Sequence, residues 1–410
     1  MSTTAEYVPA TRTTIPMIKI SALTILRNMF SLEYHFPFLM SMNHIIGQHF
    51  FIGISGHTLT HEEKKFIIDN NVGGVVLFGR NVAEPKQVYE LCAEIQSLRH
   101  QMPDKAPLFI GIDMEGGRVH RLKKPFTQWP PAKCLGDLDA PTVSFHLANR
   151  MAQELHAVGI NLDFAPSVDV LTNEANKVIG DRAISSDPEV VAKHVSAIVR
   201  GFIKAQVLTC AKHFPGHGNT LLDSHHHLPI EDSDLARLES CELIPFKKAA
   251  KARVDMIMTS HIQFPKVDPE WPVTLSEVFI QKILRDDFRY KGLIITDDLG
   301  MKALADNYGV DEIPVRALKA GCDLLLYCNE PEVPPQALES VLGAVAQGSL
   351  DKNNLQNSYQ RILEVKKTKL ANIEMLPMNE ALNLIGNAEH LRIAAAVANG
   401  EVPEGLLTEN

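Results

Sequence analysis

The sequence predicts a single-domain α/β protein built as a (β/α)8 barrel of the TIM type. Eight short apolar runs alternate with longer segments of helical period across roughly 320 residues. The runs lack a strict alternation of apolar and polar residues, which is typical of strands covered on both faces. Ionisable residues follow several of the runs, and a barrel gathers all such positions at its carboxyl-terminal face. A doubly wound open sheet is the alternative architecture.

The predicted strands are β-branched or aliphatic runs, each followed by a polar loop. In chain order they are His49–Ile54, Gly74–Phe78, Leu108–Asp113, Ile160–Phe164, Val207–Lys212, Val254–Thr259, Leu293–Asp297 and Cys322–Tyr327. A helix-length segment separates each run from the next, as parallel strands require.

Helical period fills the segments between the strands. Thr60 and Glu63 have the spacing of a capping box, which predicts a helix from Thr60 to Asn70. The segment 188–205 carries an apolar face, and a further helical pattern runs from residue 333 to 370. We therefore expect a catalytic barrel over residues 45–370, an N-terminal extension over 1–44 and a helical C-terminal tail over 371–410.

Composition narrows the class of protein. The 410 residues are 45% hydrophobic, and the formal net charge of −9 arises without long runs of one sign, which argues against a nucleic acid or an anionic membrane as partner. Arg27, Glu33 and His35 interrupt the apolar stretch 20–42, so no membrane insertion is expected. The six cysteines show no CxxC spacing, which favours a reduced, cytoplasmic setting. We expect a monomer that acts on a small substrate.

The segment from Lys212 to His225 concentrates the ionisable side chains. It follows an apolar run and contains Lys212, His213, His217, Asp223 and His225. An Asp two residues from a His in an extended loop can orient the imidazole and stabilise its charge, which makes a general acid/base near neutral pH. A zinc site built from His213, His217 and the 225–227 cluster is the alternative, but the spacing fits no compact zinc motif. No metal and no cofactor is expected.

Two further groups of residues follow predicted strands. Asp297 and Asp298 lie at the end of a buried strand, where burying a carboxylate is costly unless it is paired or has a functional role. One of the two is expected to be a functional group, and Asp298 is expected to cap a following helix. The stretch 113–121 combines Asp113 and Arg121 with paired glycines, a combination suited to gripping a polar ligand. Taken by itself, Arg182 fits a surface salt bridge as well as a ligand contact.

Together these motifs resemble family 3 glycoside hydrolases, specifically the single-barrel bacterial β-N-acetylglucosaminidases of cell-wall recycling. The resemblance rests on four stretches, namely Lys212–Gly218 with Asp223–His225, Asp113–Val119, Gly180–Arg182 and Thr296–Met301. They stand in the family's order over about residues 46 to 365, which makes chance agreement very improbable. Asn219 departs mildly from the motif, where an acidic residue is common.

The resemblance implies a role for each matching residue. Asp297 corresponds to the nucleophile, and Asp223 with His225 to the acid/base dyad. The sugar-binding positions correspond to Asp113, Arg121, Arg182, Lys212 and His213. We expect the loop 216–224 to move and to deliver His225 when substrate is bound.

The implied activity is that of a retaining exo-β-N-acetylglucosaminidase. It would remove terminal N-acetylglucosamine from peptidoglycan fragments, namely GlcNAc-1,6-anhydroMurNAc with or without peptide, through a glycosyl-aspartate intermediate. A histidine acid in place of a carboxylic acid repels an anionic acceptor less, so a β-glycoside phosphorylase is an alternative. A metal-dependent barrel hydrolase and a non-catalytic sugar-binding module are the remaining alternatives.

Overall fold

The computed structural model describes residues 42–221, 223–224, 227–372 and 374–406. The predicted extension 1–44 lies outside the described residues except for 42–44, which belong to a helical stretch at 42–47. Residues 407–410 of the predicted tail also lie outside them.

Ten strands are found in the described part of the chain. They are β1 (Phe50–Gly53), β2 (Gly74–Leu77), β3 (Phe109–Ile112), β4 (Met114–Gly116), β5 (Val119–His120), β6 (Leu162–Asp163), β7 (Leu208–Phe214), β8 (Met256–Thr259), β9 (Leu293–Asp298) and β10 (Leu324–Tyr327). Eight of them pair in parallel and close into a barrel in the order β1-β10-β9-β8-β7-β6-β3-β2. The other two, β4 and β5, form an antiparallel hairpin directly after β3.

Helices surround the barrel and continue beyond its last strand. Those of eight or more residues are His61–Asn70, Pro85–Ser97, Pro141–Ala157, Pro188–Lys204, Leu243–Lys251, the π-helix Val278–Asp287, Glu312–Ala320, Val333–Gln347, Lys352–Val365 and Ala388–Ala398. Shorter helices are Ala132–Leu138, Leu235–Ser240, Lys302–Ala305, the π-helix Lys366–Leu370 and Met378–Leu384. Single 3₁₀ turns occur at Gly79–Asn81, Leu98–Gln101, Gly180–Arg182 and Val273–Leu275.

The barrel interior is filled by every second residue of its strands. Pairs such as Leu208 with Cys210, and Met256 with Met258, are buried together in one interior cluster. Residues at the alternate positions, such as Ala211 and Ile257, point outward and join a second, larger cluster beneath the helices. Both faces of each strand are thus apolar, which is why the sequence shows continuous apolar runs.

The aromatic rings of the interior need glycine as a neighbour. The Phe51 ring stacks on Phe109 at 6.2 Å and lies 5.6 Å from that of Phe164. A Cβ atom at Gly74 would lie 2.7 Å from the Phe51 ring, and one at Gly111 would lie 2.9 Å from the Phe164 ring. These two strand positions therefore accept only glycine.

A buried lysine lies at the amino-terminal end of the barrel. Lys366 Nζ donates to Gln48 Oε1 and to the Gly73 carbonyl, both at 2.7 Å, and lies 4.8 Å from the centre of the Phe109 ring. Leu370 of the same helical stretch belongs to the interior cluster. Residues 366–370 thus close the barrel at the end opposite the carboxyl face.

The structure confirms the predicted fold class and the position of all eight barrel strands. The capping box is present as well, since Thr60 Oγ1 accepts from the Glu63 backbone and the Glu63 carboxylate accepts from the Thr60 backbone. The expected helix cap at Asp298 is wrong, because the next helix begins only at Lys302 with Met301 at its N-cap. No described helix is long and apolar enough to cross a membrane.

Candidate active site

Polar side chains from five strands meet at the carboxyl-terminal face of the barrel. Asp113 follows β3, Asp169 follows β6, and Lys212 lies in β7. Asp297 is the last but one residue of β9, and Asn329 follows β10. Each stands where a buried strand gives way to a loop, so the strands themselves hold the polar groups in place.

Lys212 is the centre of an ion cluster. Its ammonium, with the side chain only 3% exposed, contacts Asp113 Oδ1 and Glu115 Oε1, each at 2.7 Å. Asp113 Oδ2 also accepts from Arg121 Nη2 at 3.2 Å. Glu115 receives two parallel hydrogen bonds from Arg182, Nε and Nη2, both at 2.8 Å. Each carboxylate is thus shared between two cations.

The cluster stays ionised although it is buried. Burial by itself would raise the pKa of Asp113, but the charges of Lys212 and Arg121 bring it below its ordinary value. Burial likewise opposes ionisation of Glu115, and the charges of Arg182 and Lys212 outweigh it, so its pKa lies far below the ordinary value. Against burial, the two carboxylates raise the pKa of Lys212. The side chains can therefore present fixed charges at neutral pH.

His213 connects this cluster to Asp169. His213 Nδ1 lies 2.8 Å from Asp169 Oδ2, and His213 Nε2 lies 3.2 Å from Arg182 Nη2. Asp169 is fully buried, and burial would raise its pKa, yet the contact with His213 and the hydrogen bonds that Asp169 receives from His213 and from the His217 backbone lower the pKa below the ordinary value. His213 therefore bridges a carboxylate and a guanidinium, and the position of its ring is fixed at both nitrogens.

Asp297 and Asp298 occupy different environments at the end of β9. Asp298 is buried; its Oδ1 accepts from the Gly300 and Cys328 backbones at 3.0 and 3.2 Å, and its Oδ2 from Asn329 Nδ2 at 3.4 Å. Burial and the charge of Asp297 raise the pKa of Asp298 to about 6. Asp297 is less buried, and its Oδ1 accepts from the Asp298 backbone at 2.8 Å. Asp298 thus holds loops together, whereas Asp297 is the more accessible carboxylate.

The loop after β7 is anchored in its first half. The His217 backbone donates to Asp169 Oδ1 at 2.6 Å, and Asn176 Nδ2 donates to the His217 carbonyl at 2.7 Å. His217 Nδ1 lies 2.6 Å from Thr220 Oγ1, and its Nε2 lies 3.2 Å from Ser224 Oγ. Burial, together with the neighbouring His213, lowers the pKa of His217 to about 4, so this imidazole is neutral at pH 7.

The predicted acid/base dyad is described only in part. Asp223 is half-buried between the anchored segment and Ser224. His225, together with Leu222 and His226, lies outside the described residues. The expected movement of the loop therefore stays a prediction.

Two members of the site were missed as site residues by the sequence reasoning. Glu115 is not among the predicted site residues, although it binds both Lys212 and Arg182. Asp169 is not among them either, because it stands in an apolar segment with no neighbouring ionisable residue. The available signal was the burial cost of a carboxylate within an apolar stretch that follows a strand.

The zinc alternative names His213, His217 and the 225–227 cluster, of which residues 225 and 226 lie outside the described residues. Within the part of the chain that the structure describes, no group of three or more His, Cys, Asp and Glu side chains could hold a metal ion. His213 and His217 pack edge to face at 5.9 Å, and each ring has the hydrogen-bond partners given above. All six cysteines have free thiols.

Comparisons with known proteins agree with the geometry. The family described as "Glycosyl hydrolase family 3 N terminal domain" matches residues 40–365. A β-hexosaminidase of Thiobacillus denitrificans is 38% identical over 70% of this chain and 80% of its own length. One of Xylella fastidiosa is 40% identical over 71% of this chain and 86% of its own.

Solved structures give the same result. A family 3 β-N-acetylglucosaminidase from Paenibacillus superposes with a TM-score of 0.80 at 35% identity, over 88% of this chain and 68% of that one. NagZ from Neisseria gonorrhoeae, in complex with N-trifluoroacetyl-D-glucosamine, gives a TM-score of 0.70 at 30% identity, over 86% and 98%. The chain therefore belongs to glycosyl hydrolase family 3, and it is a glycoside hydrolase.

Proposed function

We propose that the protein is a retaining exo-β-N-acetylglucosaminidase. Its substrates are peptidoglycan fragments, GlcNAc-1,6-anhydroMurNAc with or without peptide, from which it removes the non-reducing terminal N-acetylglucosamine. The observation that carries the proposal is the ion cluster of Asp113, Lys212, Glu115 and Arg182 on the same barrel face as Asp297. The relatives named β-hexosaminidase support the class of sugar.

The ion cluster is suited to holding sugar hydroxyls. Asp113 supplies carboxylate oxygens as acceptors, and Lys212 and Arg121 supply donors. A sugar hydroxyl can therefore donate its proton to Asp113 and accept a hydrogen bond from one of the cations. Arg121 Nε is buried and has no hydrogen-bond partner within the described residues, which leaves one donor for a ligand. Arg182 and His213 complete the proposed sugar-binding set: Arg182 holds Glu115 by a hydrogen bond, and His213 contacts Arg182 from the other side.

Asp297 is the proposed nucleophile. Its carboxylate attacks the anomeric carbon, the bond to the leaving oxygen breaks, and a glycosyl-aspartate ester forms. The hydrogen bond from the Asp298 backbone orients this carboxylate. Because the pKa of Asp298 is raised to about 6, that neighbour becomes neutral under mildly acidic conditions and then adds less negative charge beside the nucleophile.

Asp223 and His225 are the proposed acid/base pair. The imidazolium of His225 donates its proton to the leaving oxygen in the first step, and Asp223 stabilises that cation. In the second step the neutral imidazole removes a proton from the water that attacks the ester, which restores the starting protonation state. The neutral His217 adds no competing positive charge to this segment.

A cytoplasmic location and a monomeric state remain parts of the proposal. Six free thiols are what a reducing compartment maintains, and they support the cytoplasmic assignment. No cofactor takes part in the proposed steps, since the carboxylate and the imidazole together supply nucleophile, acid and base.

The first test is hydrolysis of 4-nitrophenyl N-acetyl-β-D-glucosaminide by the wild type and by Asp297→Ala. We expect loss of kcat by about 10⁴-fold or more in the variant, since the nucleophile is removed, with an unchanged melting temperature as the control for folding. Proton NMR of early product from the wild type should show the β-anomer first. An α-anomer as first product would exclude retention.

The acid role of His225 is tested by leaving-group dependence. His225→Ala should lose far more activity on a disaccharide with a poor leaving group than on the activated aryl glycoside, because only the former needs protonation. Equal losses on the two substrates would contradict the acid role. Adding inorganic phosphate to the same reactions tests the phosphorylase alternative, for which N-acetylglucosamine 1-phosphate would be the product.

A further inference from the structure

Asp169 is a buried carboxylate that lies behind the proposed sugar-binding residues. It accepts four hydrogen bonds and is fully buried. Its Oδ1 receives the backbone N–H groups of His217 at 2.6 Å and His213 at 3.3 Å. Its Oδ2 receives Ser167 Oγ at 3.0 Å and faces His213 Nδ1 at 2.8 Å. Asp169 therefore joins the end of β7 to the start of the acid/base loop.

These contacts determine where His213 carries its proton. An ionised carboxylate can only accept, so the nitrogen that faces Asp169, Nδ1, must carry hydrogen. On the other side Nε2 faces Arg182 Nη2 at 3.2 Å, and a guanidinium can only donate. Nε2 must therefore offer a lone pair. Both partners are satisfied only by the neutral imidazole with hydrogen on Nδ1.

The tautomer of His213 affects Arg182, because the other hydrogen bonds of the guanidinium already hold it in place. Its Nε and Nη2 bind Glu115, Nη1 donates to the Val178 carbonyl at 3.2 Å, and Nη2 also reaches His213. With hydrogen on Nε2, two donors would meet at 3.2 Å and the guanidinium would have to move. Glu115 and Lys212 would move with it, since both belong to the same ion cluster.

We propose that Asp169 is a positioning residue that selects the Nδ1–H tautomer of His213 and thereby fixes Arg182 in the sugar-binding cluster. The same carboxylate holds the first turn of the acid/base loop through the His217 backbone. It touches no reacting atom and acts only through these neighbours. The structural part stands independently, whereas its consequence for sugar binding rests on the proposed function.

The isosteric substitution Asp169→Asn tests whether the carboxylate selects the tautomer of His213. The amide oxygen must face the two backbone N–H groups, because an NH2 group there would meet two donors. The amide nitrogen then takes the place of Oδ2 and donates to His213 Nδ1, which forces hydrogen onto Nε2. The new Nε2–H faces Arg182. One isosteric substitution therefore inverts the tautomer.

The direct readout is ¹⁵N NMR of protein labelled at histidine. The signals of His213 among the 17 histidines are assigned by their loss in His213→Gln. We expect the Nδ1–H tautomer in the wild type and the Nε2–H tautomer in Asp169→Asn. Ser167→Ala is the matched control, because it removes a hydrogen bond from the same oxygen yet keeps the carboxylate and should keep Nδ1–H.

The second readout is kinetic. On the aryl N-acetylglucosaminide, Asp169→Asn should raise KM about tenfold, the equivalent of one lost charge-assisted hydrogen bond, and should lower kcat less. Nδ1–H in the variant, or an unchanged KM, would overturn the proposal. Nε2–H in the wild type would overturn it even if the variant failed to fold. A wild type without glycosidase activity would refute the proposed function, and the NMR comparison would still decide the role of Asp169.

Discussion

Replacing Glu115 with glutamine removes the charge that holds two buried cations together. The Glu115 side chain is 3% exposed and receives three charge-assisted hydrogen bonds, two from Arg182 at 2.8 Å and one from Lys212 at 2.7 Å. Glutamine keeps one acceptor oxygen but presents an NH2 group to the remaining donors. Lys212 then keeps its contact with Asp113, whereas Arg182 loses its direct carboxylate partner and keeps only the more distant charges of Asp169 and Asp113.

The magnitude follows from the burial of the pair. Breaking a buried ion pair by removing one partner costs about 3–5 kcal/mol. Because the amide oxygen of glutamine keeps one acceptor, we expect Glu115→Gln to lower the free energy of unfolding by about 3 kcal/mol. An unfolding entropy of about 2 cal/mol/K per residue over roughly 360 residues converts this into a fall in Tm of about 4 °C. The measurement is thermal unfolding followed by circular dichroism at neutral pH.

A matched variant sets the scale. Asp137→Ala removes the partner of Lys133 in an exposed pair one helical turn apart, where about 0.5 kcal/mol is expected. The pKa of Glu115 is depressed in the folded state, so its contribution is present at neutral pH and is lost as pH falls below about 4.5. The Glu115→Gln deficit should shrink accordingly at pH 4 and below. A Tm shift no larger than that of Asp137→Ala would refute the reasoning.

Two further predictions concern regions distant from the site. Thr60→Ala breaks the capping box of helix His61–Asn70 and should cost about 1 kcal/mol in denaturant unfolding with unchanged kcat; Thr60→Ser should recover most of the loss. Burial lowers the pKa of Lys366 to about 7, so the folded protein releases this proton before the unfolded chain does. The free energy of unfolding of the wild type, compared with that of Lys366→Met, should therefore rise by about 1 kcal/mol per pH unit from pH 7 to 10. Parallel pH curves for the two proteins would contradict the buried, deprotonated lysine.

The strands were predictable because their environment is uniform. Each barrel strand is buried on both faces, so it appears in the sequence as a continuous apolar run whatever its partners. The helix at residue 61 was equally predictable, since Thr60 and Glu63 satisfy each other locally. The hairpin Met114–Gly116 with Val119–His120 was not, because a two-residue strand carries no periodic signal.

The site was predictable only as far as residues are close in sequence or match a known motif. Lys212, His213, Asp113 and Asp297 were predicted in that way, and they lie at the same barrel face. The role of Asp298 was not predictable, because two of its partners, Cys328 and Asn329, reach it only when β9 and β10 pair. The role of Asp169 was not predictable for the same reason, since its hydrogen-bond partners lie 44 and 48 residues away along the chain.

The charges at the carboxyl face alternate along one connected path. Arg121, Asp113, Lys212, Glu115 and Arg182 follow one another as cation and anion, and His213 links the last of them to Asp169. Asp113 and Glu115 are each shared between two cations, so the inner members Lys212, Glu115 and Arg182 cannot rotate toward a ligand without breaking a buried ion pair. The path therefore keeps its geometry before the sugar arrives, and little reorganisation remains to be done at the moment of reaction. It also makes the members interdependent, which is why substitutions such as Glu115→Gln and Asp169→Asn should couple rather than add.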